Sequence, residues 1–247
     1  MNYTEIKTEG FLSNFIKCFW TSQTFEEKVE NTILPDGYFD LILEFNAGKI
    51  NKITLTGLFT QAIEVKTEGN TQLFSIRFKP LAAEYLFAKS LKSLLNSSMI
   101  LPNNFWDLDK LQSNTFEGFV EHIKFQVSNI LATVKVFHER KMNLFNLIFE
   151  NNPLSVKDIS ANILWDSRQI NRYFTQQYGC SLKTYLNIIR CRVSYKNLVK
   201  SDLKPNLGYF DQAHFIKEMK KYTGVSPKEL SKNKNDRFLQ LSTLKIK

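Results

Sequence analysis

The feature that most constrains this chain is an internal repeat near its C-terminal end. Residues 166–183 (DSRQINRYFTQQYGCSLK) align without gaps on residues 211–228 (DQAHFIKEMKKYTGVSPK), at a constant offset of 45 positions. The matching positions are Asp166 and Asp211, Ile170 and Phe215, Arg172 and Lys217, Phe174 and Met219, Gly179 and Gly224, Ser181 and Ser226, and Lys183 and Lys228. Two copies of one supersecondary unit explain the pattern most simply. The alternatives are a chance match and a helical solenoid, but a solenoid needs about three or more stacked repeats.

Each copy has the signals of a short amphipathic helix with defined ends. An Asp at the N-cap position accepts hydrogen bonds from unpaired backbone N–H groups, a Gly ends the helix, and the next Ser caps a following helix. These signals predict helices over residues 167–178 and 212–223. A helix, a short turn and a second helix form a helix-turn-helix unit, and the second helix of such a unit can enter the major groove of DNA.

The charge of the chain is concentrated in the part that contains the repeat. Residues 1–80 contain 8 Lys/Arg and 10 Asp/Glu, and residues 81–140 contain 6 of each. Residues 141–247 contain 19 Lys/Arg against 8 Asp/Glu, an excess of 11 positive charges. Because Lys and Arg neutralise phosphates, this distribution favours a polyanion partner such as double-stranded DNA for the C-terminal part alone.

Residues 1–80 predict an antiparallel β domain. Short runs rich in β-branched and aromatic residues alternate with turn signals, as in ILPDGYFDLILEF at 33–45. Their close spacing is typical of an antiparallel sandwich or small barrel. The predicted fold class is therefore α+β, with an N-terminal antiparallel β sandwich or barrel and flanking helices, followed by an all-α double helix-turn-helix domain.

Beyond residue 80 the apolar spacing becomes helical. Helices are expected from about residue 81, in LAAEYLFAKSLKSLL, and over residues 116–137. The apolar face of the second of these helices fits either the domain core or the seam of a homodimer, and both stay open. The predicted divisions are a β-rich domain with a helical segment at 1–140, the basic double helix-turn-helix at 141–232, and a basic C-terminal tail at 233–247.

The repeat and its flanks resemble the AraC/XylS-type transcriptional regulators. The matching runs are DSRQINRYF at 166–174, Tyr178-Gly179 with Ser181, Tyr185-Leu186 with Arg190, GYFDQAHF at 208–215 and GVSPKEL at 224–230. The last two runs are characteristic of that family's second unit. More weakly, PDGYFDLILEF and the segment from GLFTQ to IRFKP resemble the cupin-like sensor region of one subgroup.

The resemblance implies a sequence-specific DNA-binding regulator that inserts two recognition helices in successive major grooves. It also implies a sensor-like N-terminal domain that binds a small effector or a partner, and a contact with RNA polymerase. Activation and repression are both open, and so is homodimerisation.

The outward polar residues of the two helices are the predicted DNA-binding residues. They are Ser167, Arg168, Asn171 and Arg172 in the first copy, and Gln212, Ala213, His214 and Lys217 in the second. An Arg can bind guanine bidentately and an Asn can pair with adenine, whereas a Lys offers only a point charge. Some of these side chains could contact phosphate alone.

The two copies differ in the helix that precedes each of them. Ser155 and Asp158 predict a capping box that begins a supporting helix before the first copy. The 45-residue offset places its counterpart in KSDLKPNLG at 200–208, where Lys204 replaces Ile159 and Pro205 disrupts helix formation. We therefore expect a shortened or missing supporting helix in the second unit, and a dominant role of the first unit in sequence recognition.

The sequence predicts no enzyme. The three histidines, His122, His138 and His214, all lie outside the β region, so neither a catalytic metal site nor another cofactor is expected there. The cysteines Cys18, Cys180 and Cys191 have no metal-ligand spacing and are typical of a reduced compartment. With no secretory signal and no membrane-spanning run, a cytoplasmic protein is expected.

Three polar residues of the β region are candidates for an effector pocket. Asp36, Asp40 and Arg77 could line it, although such residues also fit a solvated sheet face. An effector-controlled regulator is the favoured function. The alternatives are a non-sensing adaptor or nucleoid protein whose N-terminal domain binds another protein, and an enzyme fused to a helix-turn-helix, which the missing catalytic motifs disfavour.

Overall fold

The computed structural model describes residues 2–25, 28–111, 115–150, 155–205 and 208–246. Its strands are β1 (Asn2–Lys7), β2 (Ile16–Gln23), β3 (Lys28–Ile33), β4 (Phe39–Asn46), β5 (Lys49–Thr56), β6 (Ile63–Glu68), β7 (Gln72–Phe78) and β8 (Ser98–Leu101). Its α-helices are α1 (Ala82–Tyr85), α2 (Phe116–Thr133), α3 (Glu139–Glu150), α4 (Val156–Ile163), α5 (Ser167–Tyr178), α6 (Leu182–Val199), α7 (Gln212–Thr223), α8 (Pro227–Lys232) and α9 (Leu239–Ile246). The predicted α+β class is confirmed.

The N-terminal strands form two antiparallel sheets. The larger has the strand order β1-β2-β7-β4-β5-β8, and the smaller pairs β3 with β6. Along β4, alternate side chains from Phe39 to Phe45 are buried in the main hydrophobic core. The intervening residues, from Asp40 to Glu44, line a cavity on the opposite face. Period-two alternation thus gives the larger sheet one packed face and one cavity face.

Helix α2 covers the packed face of the larger sheet. Most of its apolar residues, including Phe119 and Ile123, are buried, and the Phe119 ring lies 5.5 Å from that of Phe74 on β7. Of the two interpretations left open for this apolar face, the domain core is the one that the structure shows.

The helix expected from residue 81 is wrong over most of its length. Helix α1 ends at Tyr85, Ala88 has a left-handed φ of 48°, and the chain then forms a 3₁₀ turn at Lys92–Leu94 and the strand β8, which pairs with β5. Leu81, Leu86 and Leu91 are nevertheless all buried. Their spacing reflects burial along a winding segment, which apolar periodicity alone does not distinguish from a helix.

The helices predicted at 167–178 and 212–223 are confirmed as α5 and α7. Asp166 and Asp211 cap their N-termini through the carboxylate, while Gly179 and Gly224 end both helices with a φ of 78°. The capping box predicted at the start of α4 is also present. Local sequence signals therefore determine both units.

The second unit differs from the first as expected. Helix α4 precedes α5, but residues 200–205 and 208–211, which are the described part of the segment before α7, contain no helix. Pro205 lies in this segment. The prediction of a shortened or missing supporting helix is confirmed for these residues.

The prediction of a basic C-terminal tail at 233–247 is wrong for most of this segment. Residues Leu239–Ile246 form α9, which packs against α6 and β3. Phe238 and Leu241 are buried with Leu34 of the N-terminal domain. The segment is basic, but it also contains apolar residues at a spacing that suits a helix. Such a helix is stable only when these residues pack against another surface, and the folded chain supplies that surface.

The two predicted domains share one core. The boundary expected after residue 140 falls just inside α3, whose Phe145 packs against Phe174 and Tyr178 of α5. Buried residues form a continuous cluster from the larger sheet to α6. Within the described residues, no helix is both long and apolar enough to cross a membrane.

Candidate nucleic-acid interface and effector cavity

Helix α5 presents a basic face to solvent. Arg168 and Arg172, about one turn apart, are exposed, and Ser167 is half-buried. Ile170 and Phe174 anchor the opposite face in the core. The exposed face extends to residues that the sequence analysis missed, although their phase relative to Ile170 and Phe174 indicates them. These are Gln169, Thr175 and Gln176.

Asn171 has a structural contact. Its Oδ1 accepts a hydrogen bond from the backbone N–H of Leu182 at 3.1 Å, at the first residue of α6. This satisfies one of the N–H groups that a helix N-terminus leaves unpaired. Because a bidentate contact with adenine uses both the oxygen and the nitrogen of the amide, this position of Asn171 favours a role at the helix junction.

Helix α7 also presents a polar face to solvent. Gln212, Ala213 and Lys217 are exposed, while Phe215 and Met219 are buried behind them. The Gln212 side chain donates to the backbone oxygen of Leu203 at 3.1 Å. The segment before α7 is thus held to the start of the helix in the place of a supporting helix.

His214 is also engaged. Its Nδ1 accepts from the backbone N–H of Phe210 at 3.2 Å, and its ring packs against that of Tyr209. Phe210 itself is 93% exposed. Of the predicted residues on α7, Ala213 and Lys217 are exposed and have no hydrogen bond among the described contacts.

The C-terminal end of α5 is docked on the N-terminal domain. The backbone oxygen of Gln177 accepts from the N–H of Leu91 at 2.8 Å, and the Gln177 side chain donates to the backbone oxygen of Lys89 at 2.8 Å. Glu84 of α1 accepts from the hydroxyl of Tyr173 and forms an ion pair with Lys141. The C-terminal half of α5 is therefore fixed at the domain junction, while Arg168 and Arg172 nearer its N-terminus are exposed.

The N-terminal domain encloses a cavity of about 430 Å³ between its two sheets. Aromatic and aliphatic side chains line it, together with hydroxyl and amide groups and two ion pairs. The lining residues include Tyr3, Trp20, Asn31, Ile33, Asp40, Ile42, Glu44, Lys52, Thr54, Phe59, Val65, Thr67, Arg77, Ser97, Ser98, Leu239, Gln240 and Thr243. A cavity of this size and composition fits a small organic molecule.

The three residues predicted to line an effector pocket form one cluster. The Arg77 Nε and Nη2 donate to the two carboxylate oxygens of Asp40 at 3.1 and 3.2 Å. The Arg77 Nη1 lies 3.7 Å from Oδ2 of Asp36. Burial raises the pKa of Asp40, and Arg77 opposes that rise. Asp40 and Arg77 line the cavity, whereas Asp36 lies behind Arg77.

The loop that contains Asp36 binds the long helix α6. The backbone oxygens of Pro35, Asp36 and Gly37 accept from Tyr195 (2.9 Å), Arg192 (3.4 Å) and Tyr185 (2.8 Å), respectively. Three consecutive carbonyls thereby join the cavity cluster to α6, the helix that connects the two helix-turn-helix units. The sequence gives no signal for this junction, since the partners are far apart along the chain.

Helix α9 completes the cavity wall. Leu239, Gln240 and Thr243 line the cavity from the C-terminal side. Gln240 Oε1 accepts from the backbone N–H of Leu34 at 2.7 Å, and the backbone oxygen of Arg237 accepts from the N–H of Thr32 at 2.6 Å. The cavity is thus built from both ends of the chain.

The described residues contain no group of His, Cys, Asp and Glu that could hold a metal ion. Burial raises the pKa of the Cys180 thiol to about 11 and that of the Cys191 thiol to about 12. At neutral pH both side chains are therefore protonated thiols, which are poor nucleophiles.

Two family models match the chain. One describes a helix-turn-helix domain and matches residues 159–233. The other describes a domain of unknown function (DUF6597) and matches residues 4–99. None of the curated proteins matches the chain.

Solved structures of ToxT from Vibrio cholerae are similar to this chain. The apo form of a point variant from strain SCE256 is 12% identical, over 86% of this chain and 96% of that one, with a TM-score of 0.45. ToxT from strain O395 bound to (E)-4-(8-methylnaphthalen-1-yl)but-3-enoic acid is 12% identical, over 93% and 97% of the two chains, with a TM-score of 0.43.

The helix-turn-helix match covers α5, α6 and α7, which are the elements that carry the repeat, the caps and the exposed basic face. The chain thus carries a C-terminal AraC-type helix-turn-helix domain and an N-terminal DUF6597 domain, which together support a DNA-binding transcription regulator.

Proposed function

We propose that this regulator reads DNA through α5 and α7 in successive major grooves and that a small molecule in the N-terminal cavity controls it. The main support for this proposal is the repeated geometry of α5 and α7. The two helices have the same caps, and each has two buried apolar anchor residues and an exposed cationic side chain. Recognition helices enter the major groove with their N-terminal residues at the base edges. Arg168, Arg172 and Lys217 are the residues that we assign to this contact.

The reading faces of the two helices are unequal. An Arg can bind the O6 and N7 of guanine with two parallel hydrogen bonds, whereas Lys217, the cation that we assign to the contact on α7, is a point charge. Asn171 and His214 stay in the proposal as residues that orient the helices, because their side chains bind backbone groups. Ser167, Gln212 and Ala213 complete the proposed interface.

Two walls of the cavity are continuous with the DNA-reading units. Ser97 and Ser98 line the cavity and directly follow the segment that holds the C-terminal end of α5. Helix α9 lines the cavity and packs on α6. A molecule that moves either wall would therefore shift α5 or the connecting helix α6, which is the coupling that an effector needs.

Selection of genomic DNA fragments with the purified protein tests DNA reading. We expect enrichment of an asymmetric site with two base-specific segments about one helical turn, roughly 34 Å, apart. Enrichment without a common motif would favour the nucleoid alternative. The position of the sites relative to promoters would separate activation from repression.

A thermal-shift screen with metabolites tests control by an effector. We expect at least one small molecule to raise the unfolding temperature of the full chain and to change its affinity for the selected site. A complete screen without a shift would favour the adaptor alternative, in which the N-terminal domain binds another protein. Homodimerisation and a contact with RNA polymerase remain proposals from the family resemblance, and sedimentation and pull-down on the selected site test them.

A further inference from the structure

The charges that line the cavity are already paired with each other. Arg77 is bound to Asp40 through two nitrogens and lies beside Asp36. The second lining cation, Lys52, lies 3.7 Å from Glu44, which also lines the cavity. The formal charges of these two pairs sum to zero. Asp36, which lies behind Arg77, adds one negative charge.

A carboxylate ligand would therefore enter an unfavourable field. To bind Arg77 through the carboxylate-binding edge of its guanidinium, the ligand must displace Asp40 and leave that buried carboxylate without its cation. Removing one partner of a buried ion pair costs far more than the pair contributes. Lys52 is the less protected of the two cations, but its side chain is 44% exposed and a contact there would be weakened by solvent.

The remaining lining groups favour an uncharged molecule with a ring. Tyr3, Trp20 and Phe59 supply aromatic surface, and Ile33, Ile42 and Val65 supply aliphatic surface. These side chains would contribute to the binding free energy of a ligand through burial of its apolar area and through packing against its ring. The lining also contains neutral hydrogen-bonding side chains, which are those of Asn31, Thr54, Thr67, Gln240 and Thr243.

We propose that the cavity binds an uncharged, ring-bearing small molecule with one or two hydroxyl, carbonyl or amide groups, and that it discriminates against the corresponding carboxylate. This inference rests on the proposed function of the cavity as an effector site. The polar groups of the ligand face the side chains of Gln240 and Thr243, so that ligand binding strengthens the contact between α9 and the two sheets.

Matched trios of ligands test the proposal. Each trio shares one ring and chain and ends in an alcohol, an amide or a carboxylate, for example 3-phenylpropan-1-ol, 3-phenylpropanamide and 3-phenylpropanoate, with naphthyl and cyclohexyl counterparts. Saturation-transfer NMR on the full chain at neutral pH measures binding. We expect the neutral members of at least one trio to bind and its carboxylate to bind about tenfold more weakly or worse, because it meets the carboxylates of the cluster.

Charge variants provide the control. Asp40→Asn removes the carboxylate that occupies Arg77, and Glu44→Gln removes the one beside Lys52. Each should raise the affinity of the carboxylate member relative to the alcohol, and circular dichroism verifies that the variants fold. Glu44→Gln keeps the test decisive if Asp40→Asn fails to fold.

Two outcomes would overturn the proposal. If the carboxylates bind as tightly as the neutral members, the charge argument is wrong although the cavity is still a sensor site. If no neutral member of any trio binds at millimolar concentration, the proposed ligand class is wrong. DNA binding by the same preparation, measured on the selected fragments, is independent of both outcomes.

Discussion

We propose that sequence recognition by the first unit depends most on Arg172. Its side chain is exposed on the first half of α5, and the neighbouring Ile170 and Phe174 fix the orientation of the helix. A guanidinium held in this way can pair with guanine bidentately, which contributes about 1–3 kcal/mol of discrimination between bases.

Replacement of Arg172 tests this assignment. For Arg172→Ala we expect affinity for the selected duplex to fall roughly tenfold to a hundredfold, with a much smaller loss on a scrambled duplex. Fluorescence anisotropy at fixed salt measures both. Lys124→Ala, in the exposed i,i+3 pair with Glu121 on α2, is the control and should change neither. Equal losses on the two duplexes would make Arg172 a phosphate contact.

Gly37 is required where the cavity loop, residues 35–37, contacts α6. Its φ is +79°, and a Cβ built there would lie 2.5 Å from Cδ1 of Ile189 and 3.2 Å from the hydroxyl of Tyr185. Ile189 and Tyr185 are both fully buried, so neither side chain can move away without disturbing the core. The close approach also allows the Gly37 carbonyl to accept from Tyr185.

A comparison of two glycines separates steric conflict from backbone strain. Gly224 has a φ of +78° and open space around a Cβ. We expect Gly224→Ala to lower the free energy of unfolding by about 1 kcal/mol through backbone strain alone, and Gly37→Ala to lower it by about 2–4 kcal/mol. Urea denaturation measures both. Similar losses would show that the loop and α6 can separate without cost.

At the scale of elements, α9 has the most consequence for function. It follows the second DNA-reading unit in sequence, yet it lines the cavity of the N-terminal domain. Its Gln240 supplies the acceptor for the backbone N–H of Leu34, a residue that is buried at the junction. A buried N–H without a partner costs about 1–3 kcal/mol.

Substitution of Gln240 tests this attachment. We expect Gln240→Ala to lower the free energy of unfolding by about 1–3 kcal/mol and to weaken ligand binding in the cavity. Gln240→Glu keeps an acceptor at the same position and should stay close to the wild type in stability. Differential scanning calorimetry with and without a ligand gives both quantities. A Gln240→Ala variant with unchanged stability would mean that water replaces the side chain.

At the scale of the whole molecule, we expect the positive charge and the two proposed reading helices to act together on DNA. The excess of 11 positive charges over residues 141–247 predicts strongly salt-dependent binding, because phosphate contacts release counterions. The missing supporting helix before α7, within the described residues, predicts that the second unit contributes affinity more than specificity.

The salt dependence of two variants tests this division. For Lys217→Ala we expect similar losses on the selected and scrambled duplexes, and a slope of log K against log salt that is shallower by about 0.9, the value for one lost phosphate contact. Arg172→Ala should mainly affect the selected duplex. A loss for Lys217→Ala that is confined to the selected duplex would instead give α7 a direct role in base reading.

The sequence alone determined the elements whose signals are local. Helices α5 and α7 have their predicted bounds because Asp166, Asp211, Gly179 and Gly224 each act within one turn of the chain. The disrupted segment around Pro205 and the antiparallel N-terminal domain were also predictable, because proline chemistry and β alternation are properties of adjacent residues.

Only the tertiary structure decided what depends on distant parts of the chain. Gln240 binds Leu34 across 206 positions, and the carbonyls of the cavity loop bind α6 across about 150. Apolar residues between 81 and 101, and those of α9, have spacings that fit more than one structure, and the surface against which they pack selects one of them. The cavity, its paired charges and its link to the DNA-reading helices therefore follow from the folded chain, because no local signal encodes which distant segments will meet.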